Sequence, residues 1–104
     1  MHQAAAELLS CRIWMEEIFR ISRQLAEPKY AGQRYRLLWR RQQLVRRCLA
    51  INRRLNTMPP LEGRLLRCRY IQKKIWPAVA ETLGCSQEQA DWLHKRALRL
   101  YRNL

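Results

Sequence analysis

Apolar residues recur every three or four positions over most of this chain, which is the spacing of one face of an α-helix. In residues 3–26 the pattern predicts one long amphipathic helix, which Pro28 ends. A second stripe predicts a helix from about Arg34 to Asn56. With 3 Gly and 4 Pro, the chain lacks the turn residues of an all-β fold. The sequence therefore predicts an all-α protein whose first two helices form an antiparallel hairpin.

Each helix of this hairpin needs a partner for its apolar stripe, because neither can bury that stripe alone. The sequence leaves open whether the partner is the other helix, the C-terminal region or a second copy of the chain. The expected inward positions are Leu8, Cys11, Met15, Ile18, Phe19, Ser22, Leu25 and Ala26 in the first helix, and Leu37, Leu38, Leu44, Val45, Cys48, Leu49, Ile51 and Leu55 in the second.

The Pro59-Pro60 pair is the strongest break in the sequence, because adjacent prolines stop a helix and extend the backbone. It predicts a hairpin region (1–56), a linker (57–60) and a C-terminal domain (61–104) of three shorter helices. The first of the three has the inward positions Leu61, Leu65, Cys68, Ile71 and Ile75. The second begins near Pro77 and ends at Gly84, and the third opens with a Ser86–Gln89 capping box and has the inward positions Ala90, Leu93, Ala97, Leu100, Tyr101 and Leu104.

The charge is strongly positive: 21 Lys and Arg face 8 Asp and Glu, for a net charge of +13. No acidic residue occurs between Pro28 and Leu61, so the second helix has no acidic partners of its own. Guanidinium groups bind phosphates and base edges in a planar fork, and a basic surface of this size predicts nucleic-acid binding. By helical spacing, Arg36, Arg40, Arg47 and Arg54 line one edge of the apolar face, with Trp39, Arg46 and Arg53 on the opposite side.

The last two predicted helices have the pattern of a helix-turn-helix unit. A small residue, Ala80, stands where the second helix crosses the first, and Gly84 stands where the turn needs a left-handed backbone. The remaining buried positions of the unit are apolar: Val79, Leu83, Cys85, Ala90 and Leu93. This combination predicts a helix-turn-helix whose second helix enters the major groove of duplex DNA.

Residues 61–70 look like the opening helix of sigma-70 region 4, residues 76–84 are similar to its supporting helix, and residues 85–99 to its recognition helix. With the basic helical region ahead of it, the chain resembles small phage transcriptional regulators of the RinA and ArpU type. The resemblance implies a regulator that binds DNA upstream of a promoter and touches RNA polymerase. The chain departs from region 4 at Gln87, Gln89, Asp91 and Trp92, so the family's usual promoter preference is not expected.

Helix-turn-helix geometry assigns roles to the outward-facing residues of the last helix and to nearby cations. Gln87 suits adenine, Glu88 suits the cytosine amino group, and Trp92 suits a thymine methyl group or a protein partner. The expected base-reading residues are Ser86, Gln87, Glu88, Asp91, Trp92 and Lys95. The expected phosphate contacts are Arg64, Arg67, Lys73, Lys74, Arg96 and Arg99, with Arg36, Arg40, Arg47 and Arg54 from the hairpin.

Catalysis is not expected, because the carboxylates are scattered and no nucleophile is paired with a base. His94, beside two cations, is expected to be solvated or to contact phosphate. The cysteines (Cys11, Cys48, Cys68 and Cys85) lack the local pairing of a zinc site, so we expect reduced thiols, no metal and no cofactor. Neither a secretory signal nor a transmembrane pattern is recognisable, so we expect a cytoplasmic protein that does not bind membranes.

Three other functions compete with DNA-binding regulation. A ribonucleoprotein subunit would use the arginine-rich second helix, with Tyr30, Tyr35 and Trp39 stacking on RNA bases. A phage small terminase subunit would join the helix-turn-helix to oligomerising helices. A region-4 mimic would bind polymerase, or another protein, through Trp92 and Asp91 instead of nucleic acid. A homodimer through the N-terminal helices is compatible with each of these functions.

Overall fold

The structure is a computed structural model that describes residues 3–104 of the chain. Over those residues it contains helices and no strand, which confirms the all-α fold class. The α-helices are α1 (Gln3–Leu25), α2 (Arg34–Asn56), α3 (Pro60–Leu66), α4 (Trp76–Leu83) and α5 (Gln87–Arg102). A 3₁₀ helix, Pro28–Gln33, joins α1 to α2, and a π-helix, Arg67–Ile71, continues α3.

Helices α1 and α2 pack against each other in opposite directions. Near the start of α1, Glu7 pairs with Arg54 at the end of α2, and farther along α1, Glu17 pairs with Arg40. The residue numbers rise in one helix as they fall in the other, which is the register of an antiparallel pair. Pro28 begins the connecting 3₁₀ helix, where its missing N–H costs no hydrogen bond.

One apolar cluster spans both sides of the Pro59-Pro60 break. Leu8 of α1 and Leu55 of α2 are buried in the same cluster as Leu65 and Tyr101 from the C-terminal segment. The hairpin therefore buries part of its stripe against its own chain. A domain boundary at residues 57–60 stays a prediction, but both segments contribute to this core.

Gly63 allows α3 to approach the end of α2 closely. A Cβ atom built on Gly63 would lie 3.0 Å from the carbonyl oxygen of Leu55, which is closer than nearly all real Cβ contacts. Gly63 is itself buried, and Met58 covers the same place from the linker. Because glycine has no side chain, α3 can pack closely against the end of α2 at this position.

The expected third helix does not run regularly from Leu61 to Ile75. After Leu66 the backbone widens into the π-helix, in which the Gln72 N–H donates to the Arg67 carbonyl oxygen at 2.9 Å. The wide turn leaves Cys68 and Tyr70 both buried. Lys73 then adopts a left-handed φ of 56°, which ends the segment. Ile75 lies outside the helix and is 67% exposed, so its assignment as an inward position was wrong.

Other expected inward positions are also exposed, and those on the hairpin follow from the elongated shape of the molecule. Its extents are 52 × 27 × 24 Å, so the hairpin reaches beyond the helices that would cover it. The α-helical stripe continues there without a third layer. The residues expected to face inward but found exposed are Phe19, Ala26, Leu38, Leu49, Leu61 and Leu104. Leu98, which was not expected to face inward, is buried.

Candidate nucleic-acid interface

The turn between α4 and α5 has the backbone that the sequence predicts. Gly84 has φ 69° and ψ 35°, a left-handed conformation that residues with a Cβ rarely adopt. Its N–H donates to the Glu81 carbonyl oxygen at 3.1 Å, and the next N–H, of Cys85, donates to the Ala80 carbonyl oxygen at 3.0 Å. These bonds satisfy carbonyl groups at the end of α4 and turn the chain into α5.

A capping box begins α5, as predicted. The Gln89 N–H donates to the Ser86 hydroxyl oxygen at 3.1 Å, and the Ser86 N–H donates to the Gln89 side-chain oxygen at 2.9 Å. Two backbone donors that the helix would leave unpaired are thereby satisfied. The capping box defines where α5 starts, and hence the orientation of Gln87 and Glu88 in its first turn.

The inner face of α5 holds the helix on the protein. Helices α4 and α5 pack together, and the small residues Ala80 and Ala90 are both buried. Leu93 is buried farther along α5, next to the cavity that Leu83 lines. The buried residues of α5 are Ala90, Leu93, Ala97, Leu98 and Tyr101. They leave the opposite face of the helix exposed over several turns.

The residues that the sequence assigned to base reading lie on α5 and at the Ser86 cap before it. Ser86, Gln87, Glu88, Asp91, Trp92 and Lys95 are all exposed. The Lys95 ammonium pairs with the Asp91 carboxylate at 3.2 Å, one turn apart. A lone carboxylate at the centre of this face would repel phosphate, and the pairing offsets its charge locally.

Trp92 is the largest apolar group on the exposed face of α5. Its side chain is 61% exposed, and the Arg96 guanidinium lies over its ring at 5.8 Å from the centroid. On one side Trp92 borders an open cavity of about 470 Å³ shared with Leu61 and Leu83. On the other side it borders a cavity of about 410 Å³ shared with Leu98. A flat ring between two hollows is a surface to which another molecule can bind.

His94 is half-buried and has partners within the protein, which corrects the expectation that this residue is solvated. Its Nε2 lies 2.7 Å from the Tyr70 hydroxyl oxygen, and its ring packs edge-on against Trp76 with centroids 4.7 Å apart. The Arg69 guanidinium lies over the Trp76 ring, 4.8 Å from its centroid. Burial raises the pKa of Tyr70. His94 thus fixes α5 to the π-helix and α4, a role that the sequence did not reveal.

Several of the C-terminal cations expected to contact phosphate have partners within the protein. Arg67 donates to the side-chain oxygens of Asn52 and Asn56 on α2. Lys73 pairs with Glu16 of α1 at 3.2 Å, and this pairing lowers the pKa of the Glu16 carboxyl. These contacts join the C-terminal helices to the hairpin.

The other four C-terminal cations divide into two groups. Lys74 donates to the Thr82 hydroxyl at 3.0 Å, and the Arg96 guanidinium lies 3.9 Å from the buried Glu62 carboxylate. Arg64 and Arg99 are exposed, and neither side chain has an ion pair or hydrogen bond with the described residues. Arg64 and Arg99 can therefore bind an external phosphate without losing a contact inside the protein.

The arginines of α2 are not all without acidic partners, because α1 supplies them. Arg54 donates to the Glu7 carboxylate, and Arg40 donates to both oxygens of Glu17 at 3.2 and 3.3 Å. The expectation that pairing acids are missing is wrong for these two. The Arg47 guanidinium lies 5.5 Å from the centroid of the Trp14 ring, whereas Arg36 is exposed and has no such contact with the described residues.

The thiols lie in the core or at its edge. Cys11 and Cys48 face each other across the hairpin, where the Cys48 Sγ lies 3.8 Å from the Cys11 carbonyl oxygen. Burial, with a smaller contribution from Cys48, raises the pKa of Cys11 to about 12, and burial raises the pKa of Cys48 as well. Within residues 3–104, His, Cys, Asp and Glu form no group of three or more that could hold a metal ion.

No helix among the described residues combines the length and apolar character needed to cross a membrane.

Comparison of the chain with protein-family models, with curated proteins and with solved structures finds no match.

Proposed function

We propose that this protein is a DNA-binding transcriptional regulator that inserts α5 into the major groove of duplex DNA. The observation that carries the proposal is the exposed face of α5. It presents polar side chains, Gln87 and Glu88 among them, on a helix whose start is defined by the Gly84 turn and the Ser86 cap. A recognition helix needs such a start, because base contacts depend on the register of its first turns.

The electrostatics of the C-terminal helices favour the same function. Arg64 and Arg99 are exposed cations without internal partners among the described residues, and they come from two helices that pack together. Cations on a recognition helix and on the helix beside it neutralise the phosphates that flank the groove. Asp91 is paired with Lys95, so its negative charge is partly neutralised and repels the DNA phosphates less.

Trp92 is the proposed contact with a protein partner, for which RNA polymerase is our candidate. Its exposed ring lies between two hollows, and aromatic residues of this kind dominate the energy of protein interfaces. The sequence resemblance to sigma-70 region 4 and to small phage regulators points to a regulator encoded by a phage or prophage. Such a protein would act in the cytoplasm of its bacterial host.

The test begins by selecting preferred duplexes from a random DNA library with the full chain. Binding of the selected duplex is then titrated from low to physiological salt for wild type, Gln87→Ala and Arg99→Ala. We expect Gln87→Ala to relax the preference at one base pair, by about 1–3 kcal/mol. Arg99→Ala weakens binding to all duplexes and reduces the salt slope by about 1.

Gln72→Ala is the matched control, because Gln72 is exposed on the π-helix side of the molecule and has no assigned role in reading bases. It leaves both the preference and the salt slope unchanged. The proposal fails if selection enriches no sequence, or if Gln87→Ala and Gln72→Ala have the same effect on the selected duplex.

A further inference from the structure

The outward side of α2 carries two exposed aromatic rings in line with unpaired arginines. Tyr35, Trp39, Gln42, Arg46 and Arg53 recur at intervals of three, four and seven residues, so they lie along one side of the helix; we name this set the outer stripe. All five side chains are exposed, with Tyr35 at 90% and Trp39 at 63%. We propose that the outer stripe binds single-stranded RNA.

The charge on α2 explains why this side is the one available to an anionic ligand. Arg40 and Arg54, on the side that faces α1, are held by carboxylates of that helix. Arg46 and Arg53 lie on the opposite side of the helix, and their side chains make no ion pair or hydrogen bond with the described residues. An RNA strand along the outer stripe can therefore pair with two guanidinium groups without breaking an ion pair inside the protein.

The aromatic residues distinguish a strand with unpaired bases from a duplex. Tyr35 and Trp39 are one turn apart, a rise of about 6 Å along the helix. That is nearly twice the roughly 3.4 Å between stacked bases, so one base can insert between the two rings. In a duplex the faces of the bases are already stacked on each other. Rings of this kind are used on single strands, where base faces are free.

Gln42 favours RNA over single-stranded DNA. It is exposed between Trp39 and Arg46, and its amide both donates and accepts hydrogen bonds. The ribose 2′-hydroxyl, which DNA lacks, is likewise both donor and acceptor. A nucleotide whose base stacks on Trp39 and whose phosphate pairs with Arg46 would carry its ribose past Gln42.

This surface is distinct from the one proposed for duplex DNA. The outer stripe begins at the first turns of α2, and Tyr35 is about 28 Å along the helix from Arg54, where α2 contacts α5. Arg53, at the other end of the stripe, is next to Arg54, so the substitutions at Tyr35 and Trp39 are the ones that leave the duplex-binding surface intact and separate the two proposals.

The test measures binding of a fluorescently labelled, mixed-sequence single-stranded RNA to the full chain at physiological salt. We expect the double variant Tyr35→Ala, Trp39→Ala to lose affinity at least about tenfold, because each ring stacks on a base. Tyr35→Phe with Trp39→Phe keeps the rings and restores most of the affinity. Arg46→Ala with Arg53→Ala reduces the salt slope by about 1.4. Phe19→Ala is the matched control, an exposed aromatic residue of α1 outside the stripe, and it changes nothing.

Further measurements give the outcomes that would overturn the proposal. A DNA strand of the same sequence should bind more weakly than the RNA, and equal binding that responds equally to the variants would refute the assignment to RNA. Sedimentation of the free protein covers the protein–protein alternative: if the alanine pair converts a dimer to a monomer and leaves RNA affinity unchanged, the stripe is a protein interface. Gln87→Ala and Arg99→Ala should leave RNA binding unchanged, which separates this test from that of the duplex proposal.

Discussion

The Arg54 guanidinium both lies over the Tyr101 ring, 4.4 Å from its centroid, and donates to the Tyr101 carbonyl oxygen at 3.2 Å. The same guanidinium donates to both oxygens of Glu7, at 2.9 and 3.1 Å. One side chain of α2 thereby contacts the first turns of α1 and the last turn of α5. These contacts fix the proposed recognition helix relative to the hairpin.

Arg54→Ala should therefore destabilise the protein. It removes a charged hydrogen-bond pair, a bond to a carbonyl oxygen and a ring contact, and we expect unfolding to become easier by about 1–2 kcal/mol. The loss is modest because both side chains of the ion pair are partly exposed to water, which screens their attraction. Arg53→Ala is the matched control, since Arg53 is exposed and has no partner among the described residues. It should change stability by less than about 0.5 kcal/mol.

Urea denaturation followed by circular dichroism measures both free energies of unfolding. The RNA titration should show the reverse ranking of the two variants: Arg53→Ala lowers RNA affinity, whereas Arg54→Ala leaves it unchanged. Equal stability of the two variants would contradict the role assigned to Arg54.

Gly84→Ala should cost about 1 kcal/mol of stability, because alanine is strained in the left-handed conformation of this turn. A Cβ at Gly84 would meet nothing within 4 Å, so the cost comes from the backbone alone. Gly32→Ala also meets open space, and Gly32 does not have a positive φ. We expect that control to be neutral or slightly stabilising, since alanine restricts the unfolded chain. Thermal unfolding of both variants checks the difference, and equal melting temperatures would contradict the assigned turn.

Alkaline pH should destabilise the fold through ionisation of Cys11 and Tyr101. Burial raises the pKa of Cys11 to about 12, and burial with the nearby Glu7 charge raises the pKa of Tyr101 to about 12. The folded state therefore retains protons that the unfolded state releases from about pH 9 upward, where the ordinary thiol pKa is 9.0. The protonated Cys11 thiol and Tyr101 phenol contribute fully to the free energy of unfolding below their unfolded-state pKa values. This contribution is lost as the pH rises toward 12.

Urea denaturation at several pH values between 8 and 11.5 tests this alkaline dependence. Tyr101→Phe removes the phenol, and Cys11→Ala removes the thiol. Each variant should show a shallower fall of the unfolding free energy with pH than wild type, whatever its stability at pH 8. A fall as steep as that of wild type in both variants would show that other groups control alkaline unfolding.

The extent to which the sequence predicted the proposed duplex-binding site follows from the range of the interactions involved. The Gly84 turn and the Ser86–Gln89 capping box are made by residues close in sequence, so their pattern was sufficient to predict them. The environment of His94 depends on Tyr70, which is 24 residues away. No local pattern predicts such a contact, and the expectation of a solvated His94 was accordingly wrong.

The all-α class, the hairpin helices and the exposed face of α5 were determined by the sequence alone, because helical periodicity and end signals act within a few residues. Tertiary structure decided which arginines remain available. Glu7 and Glu17 lie far from Arg54 and Arg40 in sequence, and only antiparallel packing of α1 on α2 brings their charges together. Packing also decided which apolar residues stay exposed: Phe19 and Leu38 follow the helical stripe, but no third layer covers that part of the hairpin. Periodicity defines a face of a helix, whereas the length of that face that is buried depends on how far the other helices reach.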